Sequence, residues 1–123
     1  MSQDLFADIM NQIMNAKKAR KTSLVVTRFS KLLLNSLDLM KQYGYIDYEQ
    51  NESGLKIIIK EISECRAIKP RYTVNKKNFD KYVKRFLPAR NFGYILVSTN
   101  KGLMTHNEAQ DKEIGGSLIA YFY

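Results

Sequence analysis

Tyr94-Ile95-Leu96-Val97, followed at once by Ser98-Thr99-Asn100-Lys101-Gly102, is the stretch whose reading decides the fold. An unbroken apolar run rich in branched residues predicts a buried strand. The residues after it predict a loop of short hydrogen-bonding side chains, with a glycine that lets the backbone approach a ligand closely. Thr105 and Glu108 then stand at capping-box spacing, so a short helix is expected to begin there. Gly115 and Gly116 are expected to end it and release the chain into a closing strand, Ser117 to Tyr123. If that strand pairs near Tyr94 to Val97, Gly115, Gly116 and Ser117 fall beside the Ser98 to Gly102 loop.

Immediately upstream, Phe79, Tyr82, Val83 and Phe86 recur at helical spacing, with Lys81, Lys84 and Arg85 among them. This predicts a short amphipathic helix whose aromatics are core, not stacking platforms. Leu87-Pro88 stops it, because a residue before proline is pushed out of helical geometry. Ala67-Ile68 and Tyr72-Thr73-Val74 read as short strand pieces around Pro70, which argues against a central strand there.

The first half has clearer periodicity. Leu5, Phe6, Ile9, Met10, Ile13 and Met14 predict an amphipathic helix over residues 4–19, with Lys17, Lys18, Arg20 and Lys21 gathered at its negative end. That cluster reads either as dipole compensation or as a contact with an anionic partner. Thr22 to Phe29 is a strand candidate. Ser30 is a good N-cap for a helix from Lys31 to about Tyr43, which Gly44 terminates. Tyr45 to Gln50 and Leu55 to Ile62, joined by a turn at Asn51 to Gly54, predict a hairpin. The expected class is α/β in the α+β sense: an N-terminal α-β-α-β-β unit, residues 1–62, packed against a small, mainly β unit with short helices, residues 63–123.

Charge is focused in the second unit. Residues 1–62 hold nine basic and seven acidic side chains, whereas residues 63–123 hold eleven and five. Arg66 to Arg90 alone contains nine cations and a single acid, Asp80. Charge spread only for solubility would not concentrate this way, so a polyanion partner is expected. No apolar run approaches the length of a membrane span. The N-terminus lacks the pattern of a signal peptide, and the lone Cys65 cannot form an internal disulfide or a cysteine-rich zinc site. A reducing, cytoplasmic setting is expected, with no metal, cofactor or small-molecule substrate. His106-Asn107-Glu108 matches the opening of a zinc deaminase motif, but no cysteine pair follows it. No phosphate-cradling or dinucleotide fingerprint occurs either, so the chain is read as non-enzymatic.

Duplex-DNA readers present a recognition helix with polar base-reading residues, which is not seen here. Short hydroxyl side chains suit the wide, shallow minor groove of A-form RNA better. Ser98, Thr99 and Asn100 are therefore expected to make close RNA contacts, Lys101 to meet phosphate, and Gly102 to admit the backbone. Arg66, Lys69, Arg71, Lys76 and Arg90 would add sequence-independent attraction.

Ser98-Thr99, Gly102, Met104, Gly115-Gly116 and the aromatic C-terminus resemble the signature region of the universal small-subunit ribosomal protein eight family. Asn15-Ala16 closing the first helix, Ser30-Lys31 opening the second, and Gly44-Tyr45-Ile46 ending it fit the same pattern. Ala67-Ile68-Lys69-Pro70-Arg71 and Leu87-Pro88-Ala89-Arg90 look like its archaeal and eukaryotic branch. The resemblance implies a structural constituent of the small subunit that is a primary binder of its rRNA at a central-domain stem, supports assembly, and contacts neighbouring ribosomal proteins. It implies RNA contacts at Ser98 to Gly102 and at Gly115-Gly116, and it carries Lys31 over as a further contact in the first half. The sequence departs from the pattern at Asn100, often serine; at Ser117, where a charged residue usually follows the glycine pair; and at Arg66, often glycine. A free-standing repressor that binds messenger RNA is the alternative.

Overall fold

The computed structural model describes residues 5–69, 71–89 and 92–123. The chain divides into two compact units, residues 1–65 and 66–123. Among the described residues there are four helices and eight strands in antiparallel pairings, an α+β fold.

In the first unit, α1 (Leu5–Lys18) buries Phe6, Ile9, Met10, Ile13 and Met14 along one face. Each such side chain stabilises the fold by roughly 1.5–3 kcal/mol relative to exposure. The helix falls within the expected span of residues 4–19 and runs two residues past the Asn15-Ala16 pair. It ends in a left-handed residue, Arg20 (φ 59°), and Lys21 N–H bonds back to Ala16 O at 2.9 Å. Lys17 Nζ donates to Ile62 O, so one member of the basic cluster has a structural task. β1 (Ser23–Val26) is shorter than expected because the following residues lead into a cap. Ser30 Oγ accepts from Leu33 N–H at 3.2 Å and starts α2 (Lys31–Gln42), which buries Leu33, Leu37 and Met40. Gly44, at φ 84°, ends it as expected, with Tyr45 N–H reaching Met40 O. β2 (Ile46–Asn51) and β3 (Gly54–Ile59) form the hairpin, and the sheet order is β1-β3-β2. Tyr48, on β2, donates its hydroxyl to Asp38 on α2, and that bond pushes the phenol up to about 12.

The second unit is built on one sheet. β4 (Cys65–Ala67), β5 (Thr73–Val74), β6 (Tyr94–Thr99), β7 (Gly102–Thr105) and β8 (Gly116–Phe122) are ordered β4-β8-β6-β7, with β5 also on β8. The expected pairing of the last strand with the Tyr94 run is present, with a bulge at Leu96/Val97. α3 (Phe79–Phe86) seals one face by burying Phe79 and Val83. α4 (His106–Asp111) starts at Thr105, whose Oγ1 accepts from Glu108 N–H at 3.4 Å.

Two expectations in this unit need correction. Ser98 to Gly102 is not an open loop: Ser98 and Thr99 finish β6, Gly102 opens β7, and only Asn100-Lys101 form the turn. The glycine pair does not end α4 either. Glu113 does so at φ 57°, with Ile114 N–H to Ala109 O at 3.0 Å and Glu113 N–H to Gln110 O at 3.1 Å, the double bond set of a left-handed helix stop. A left-handed conformation costs a side-chain-bearing residue about 1–2 kcal/mol, and glycine's extra chain entropy offsets part of the relief. Glu113→Gly is therefore expected to stabilise the protein by roughly 0.5–1 kcal/mol, read as a higher urea midpoint at unchanged slope.

Candidate nucleic-acid interface

The second sheet's register places the candidate residues. Ser98 stands opposite Leu103 on one side and Ser117 on the other, and Ser117 stands opposite Thr73. Directly opposed residues share a face, so Thr73, Ser117 and Ser98 make a row of hydroxyls across three strands. The row spans roughly 10 Å, two strand separations. Ser98 and Thr73 are exposed and Ser117 is half-buried.

The turn beyond Ser98 is held by its own side chains. Thr99 Oγ1 donates to Gly102 O at 2.7 Å and accepts from Lys101 N–H at 3.1 Å. Its donor hydrogen is thus engaged in shaping the turn. Gly102 takes φ 112°, the position in the loop that a side chain would strain. Asn100 and Lys101 are left exposed at the tip.

Gly115 and Gly116 act through closeness, not through unusual dihedrals. A Cβ on Gly116 would lie 2.3 Å from Ser98 O, and one on Gly115 would lie 2.2 Å from Val74 O and 2.8 Å from Asn75 Cα. The missing side chains let β8 nestle between β6 and the end of β5. That contact sets a second turn beside the row. Asn75 Oδ1 accepts from Lys77 N–H at 3.0 Å, Asn78 N–H closes on Asn75 O at 3.1 Å, and Lys76 and Lys77 sit exposed at the tip.

The remaining expected contacts are less concentrated. Ile68 N–H bonds to Ile119 O and Leu118 N–H to Tyr72 O, so Lys69 and Arg71 lie between two anchor points on β8, both exposed. Arg66 is exposed on β4. Arg90 lies outside the described residues. Lys31 is the exposed first residue of α2, in the other unit. Thr73 and Lys77 add to the contacts expected from sequence. Tyr72-Thr73-Val74 already read as a strand piece, but its partner strand, and hence Thr73's neighbours, came only with the register.

His106, the first residue of α4, is buried at 2% exposure. Its Nδ1 accepts from Ile95 N–H at 3.1 Å, which leaves the ring proton on Nε2. Burial pushes its pKa down to about 4, with the Asp80 charge opposing. Among the described residues no group of three or more His, Cys, Asp or Glu could hold a metal ion, and no helix is long and apolar enough to cross a membrane.

Residues 4–123 match the sequence profile of the family described as ribosomal protein S8. The chain belongs to that family. It is 40% identical to small ribosomal subunit protein uS8 of Archaeoglobus fulgidus over 129 aligned positions, covering all of both chains. It is 36% identical to small ribosomal subunit proteins uS8A and uS8B of Schizosaccharomyces pombe, covering 98% of this chain and of each of them. Full-length agreement with S8 proteins of an archaeon and a yeast fits the family assignment reached from the glycine-rich tail. It also fits the archaeal and eukaryotic character of the Lys69 and Pro88 segments.

Proposed function

We propose that this S8-family chain is a structural constituent of the small ribosomal subunit that binds small-subunit rRNA through the face bearing Ser98, Ser117 and Thr73, and so supports assembly. The observation that carries the RNA reading is the register that aligns three hydroxyls between two tips presenting Asn100, Lys101, Lys76 and Lys77. Short hydroxyls can exchange hydrogen bonds with 2′-hydroxyls and base edges in a shallow groove, while lysines at either end meet phosphates. Gly116 keeps the hydroxyl row flat, and Thr99 and Gly102 fix the hairpin tip. Arg66, Lys69, Arg71 and Arg90 contribute longer-range attraction, and Lys31 a separate contact from the first unit. The resemblance to family members implies a central-domain stem as the target.

The test is binding to a labelled central-domain rRNA fragment over a salt series, with a plain RNA duplex as competitor. Ser98→Ala/Ser117→Ala is expected to weaken specific binding about tenfold or more, the scale of one or two lost hydrogen bonds to a polar partner. The salt slope should stay unchanged, because no charge is removed. Lys76→Ala/Lys77→Ala should instead flatten the salt slope by about two ions. Equal binding of both RNAs, indifferent to the serine changes, would remove this face from the account.

A further inference from the structure

The basic segment from Arg66 to Arg90 borders two faces of the second sheet, and the second face is not the one bearing the hydroxyls. Tyr72 is bonded to Leu118, and Leu118 stands opposite Val97. Val97 and Leu118 lie in the buried cluster with Phe79 and Val83 of α3. Because side chains alternate along a strand, Tyr72 faces α3 while Thr73 faces away. Tyr121, opposite Ile95, is on the α3 side as well.

On that side five rings remain half-exposed at the flank of α3: Tyr72, Tyr82, Phe86, Tyr121 and Tyr123. Four of them are ordered as a ladder, and Tyr72 is tilted by 34° against Tyr82 and by 41° against Phe86. Tyr82 and Phe86 lie 11° from parallel with centroids 6.4 Å apart, Phe86 and Tyr121 24° and 5.5 Å, and Tyr121 and Tyr123 12° and 6.1 Å. The Arg85 guanidinium lies over two of them, 5.1 Å from the Tyr72 centroid and 5.4 Å from that of Phe86. Lys81 lies 5.6 Å from the Tyr82 centroid.

We propose that this ladder is a docking surface for an acidic protein segment with apolar anchors, supplied by a neighbouring protein of the small subunit. It rests on the reading of the chain as a subunit constituent. Clustered tyrosine, phenylalanine and arginine is the composition of protein-interface centres, where large rigid side chains lose little entropy on contact. The charge around the ladder selects the partner's sign. Lys81, Lys84 and Arg85 are exposed on α3, whose single acid is Asp80, so carboxylates are drawn in. A chain of net charge +8 with this basic rim repels a second copy of itself. RNA is disfavoured by ring geometry. A nucleobase binds an aromatic residue by covering its face, whereas Arg85 lies over the Tyr72 and Phe86 rings and Lys81 over that of Tyr82. The edges that remain suit aliphatic side chains. One sheet would then hold RNA on its hydroxyl side and a protein on its aromatic side.

The experiment replaces Tyr82 with the photo-crosslinking residue p-benzoylphenylalanine in the full chain, assembles it into small subunits, and identifies the product by mass spectrometry. The expected product is a peptide of another ribosomal protein in which Asp and Glu outnumber Lys and Arg around the attachment point. Arg85→Glu, combined with the crosslinker, should cut the yield about tenfold while rRNA-fragment binding stays within about twofold, since Arg85 takes no part in the hydroxyl face. A crosslink to rRNA, to a second copy or to a basic segment overturns the proposal. So does the absence of any crosslink in particles that have incorporated the chain. Failure to incorporate, by contrast, overturns the subunit reading and this proposal with it.

Discussion

Gly116→Ala is expected to destabilise the protein by about 2–4 kcal/mol and to abolish specific rRNA binding even at temperatures where the variant is still folded. The added methyl would stand 2.3 Å from Ser98 O, 3.0 Å from Ser98 C and 3.0 Å from Val97 Cγ1. The first two are backbone atoms of the neighbouring strand, so no side-chain rotation relieves the overlap. β6 and β8 must part there, or one must slide. Either movement displaces Ser98 from Ser117 and breaks the hydroxyl row, so stability and binding fail from one cause. Ser117→Ala provides the contrast. It lies one residue further along and already carries a Cβ, so its folding stability should change by no more than about 0.5 kcal/mol. Urea unfolding followed by circular dichroism, together with the rRNA titration, separates the two. A Gly116→Ala protein with an unchanged urea midpoint would mean that the strands are not as close as described.

The same glycine shows where sequence reading succeeds and where it stops. Local signals were legible because each is written in a few adjacent residues: the apolar stripe of α1, the caps at Ser30 and Thr105, and the stop at Gly44. Gly115 and Gly116 also stand out, but a glycine pair after a helix reads as a helix stop, and only the tertiary neighbours reveal its use as a close-packing surface. Glu113 carried no signal, since a left-handed glutamate looks like any exposed charge in the sequence. β7 went unseen because Leu103 and Met104 are too short a run to show a period, and Thr105 serves strand and cap at once. Thr73 was hidden for a related reason. Its role depends on standing opposite Ser117, a pairing between residues more than forty positions apart that no local pattern encodes.

Acidification from pH 6.5 towards pH 4 is expected to withdraw roughly 3 kcal/mol of stability through His106 alone. In the folded protein the imidazole is buried and its Nδ1 is occupied by Ile95 N–H. Charging the ring would strand a cation in apolar surroundings and turn an acceptor into a donor aimed at another donor. Burial is the larger influence and lowers the pKa to about 4, while the nearby Asp80 charge pulls the other way without prevailing. In the unfolded chain the same ring titrates near its ordinary 6.5. Between these two values the unfolded state binds the proton and the folded state does not, so stability falls with falling pH. Above the upper value His106 contributes its full share; below the lower one that share is gone. Other groups also titrate in acid, so the decisive quantity is the difference between wild type and His106→Asn, in which their contributions largely cancel. Asparagine can place its Oδ1 near the position of Nδ1 and keep the bond to Ile95, but it cannot take up the proton. Urea unfolding at closely spaced pH values should show wild type losing its advantage over His106→Asn as the pH drops through this window. Parallel curves for the two proteins would mean that His106 stays neutral in the unfolded chain too or is charged in both states, and would sink the assignment.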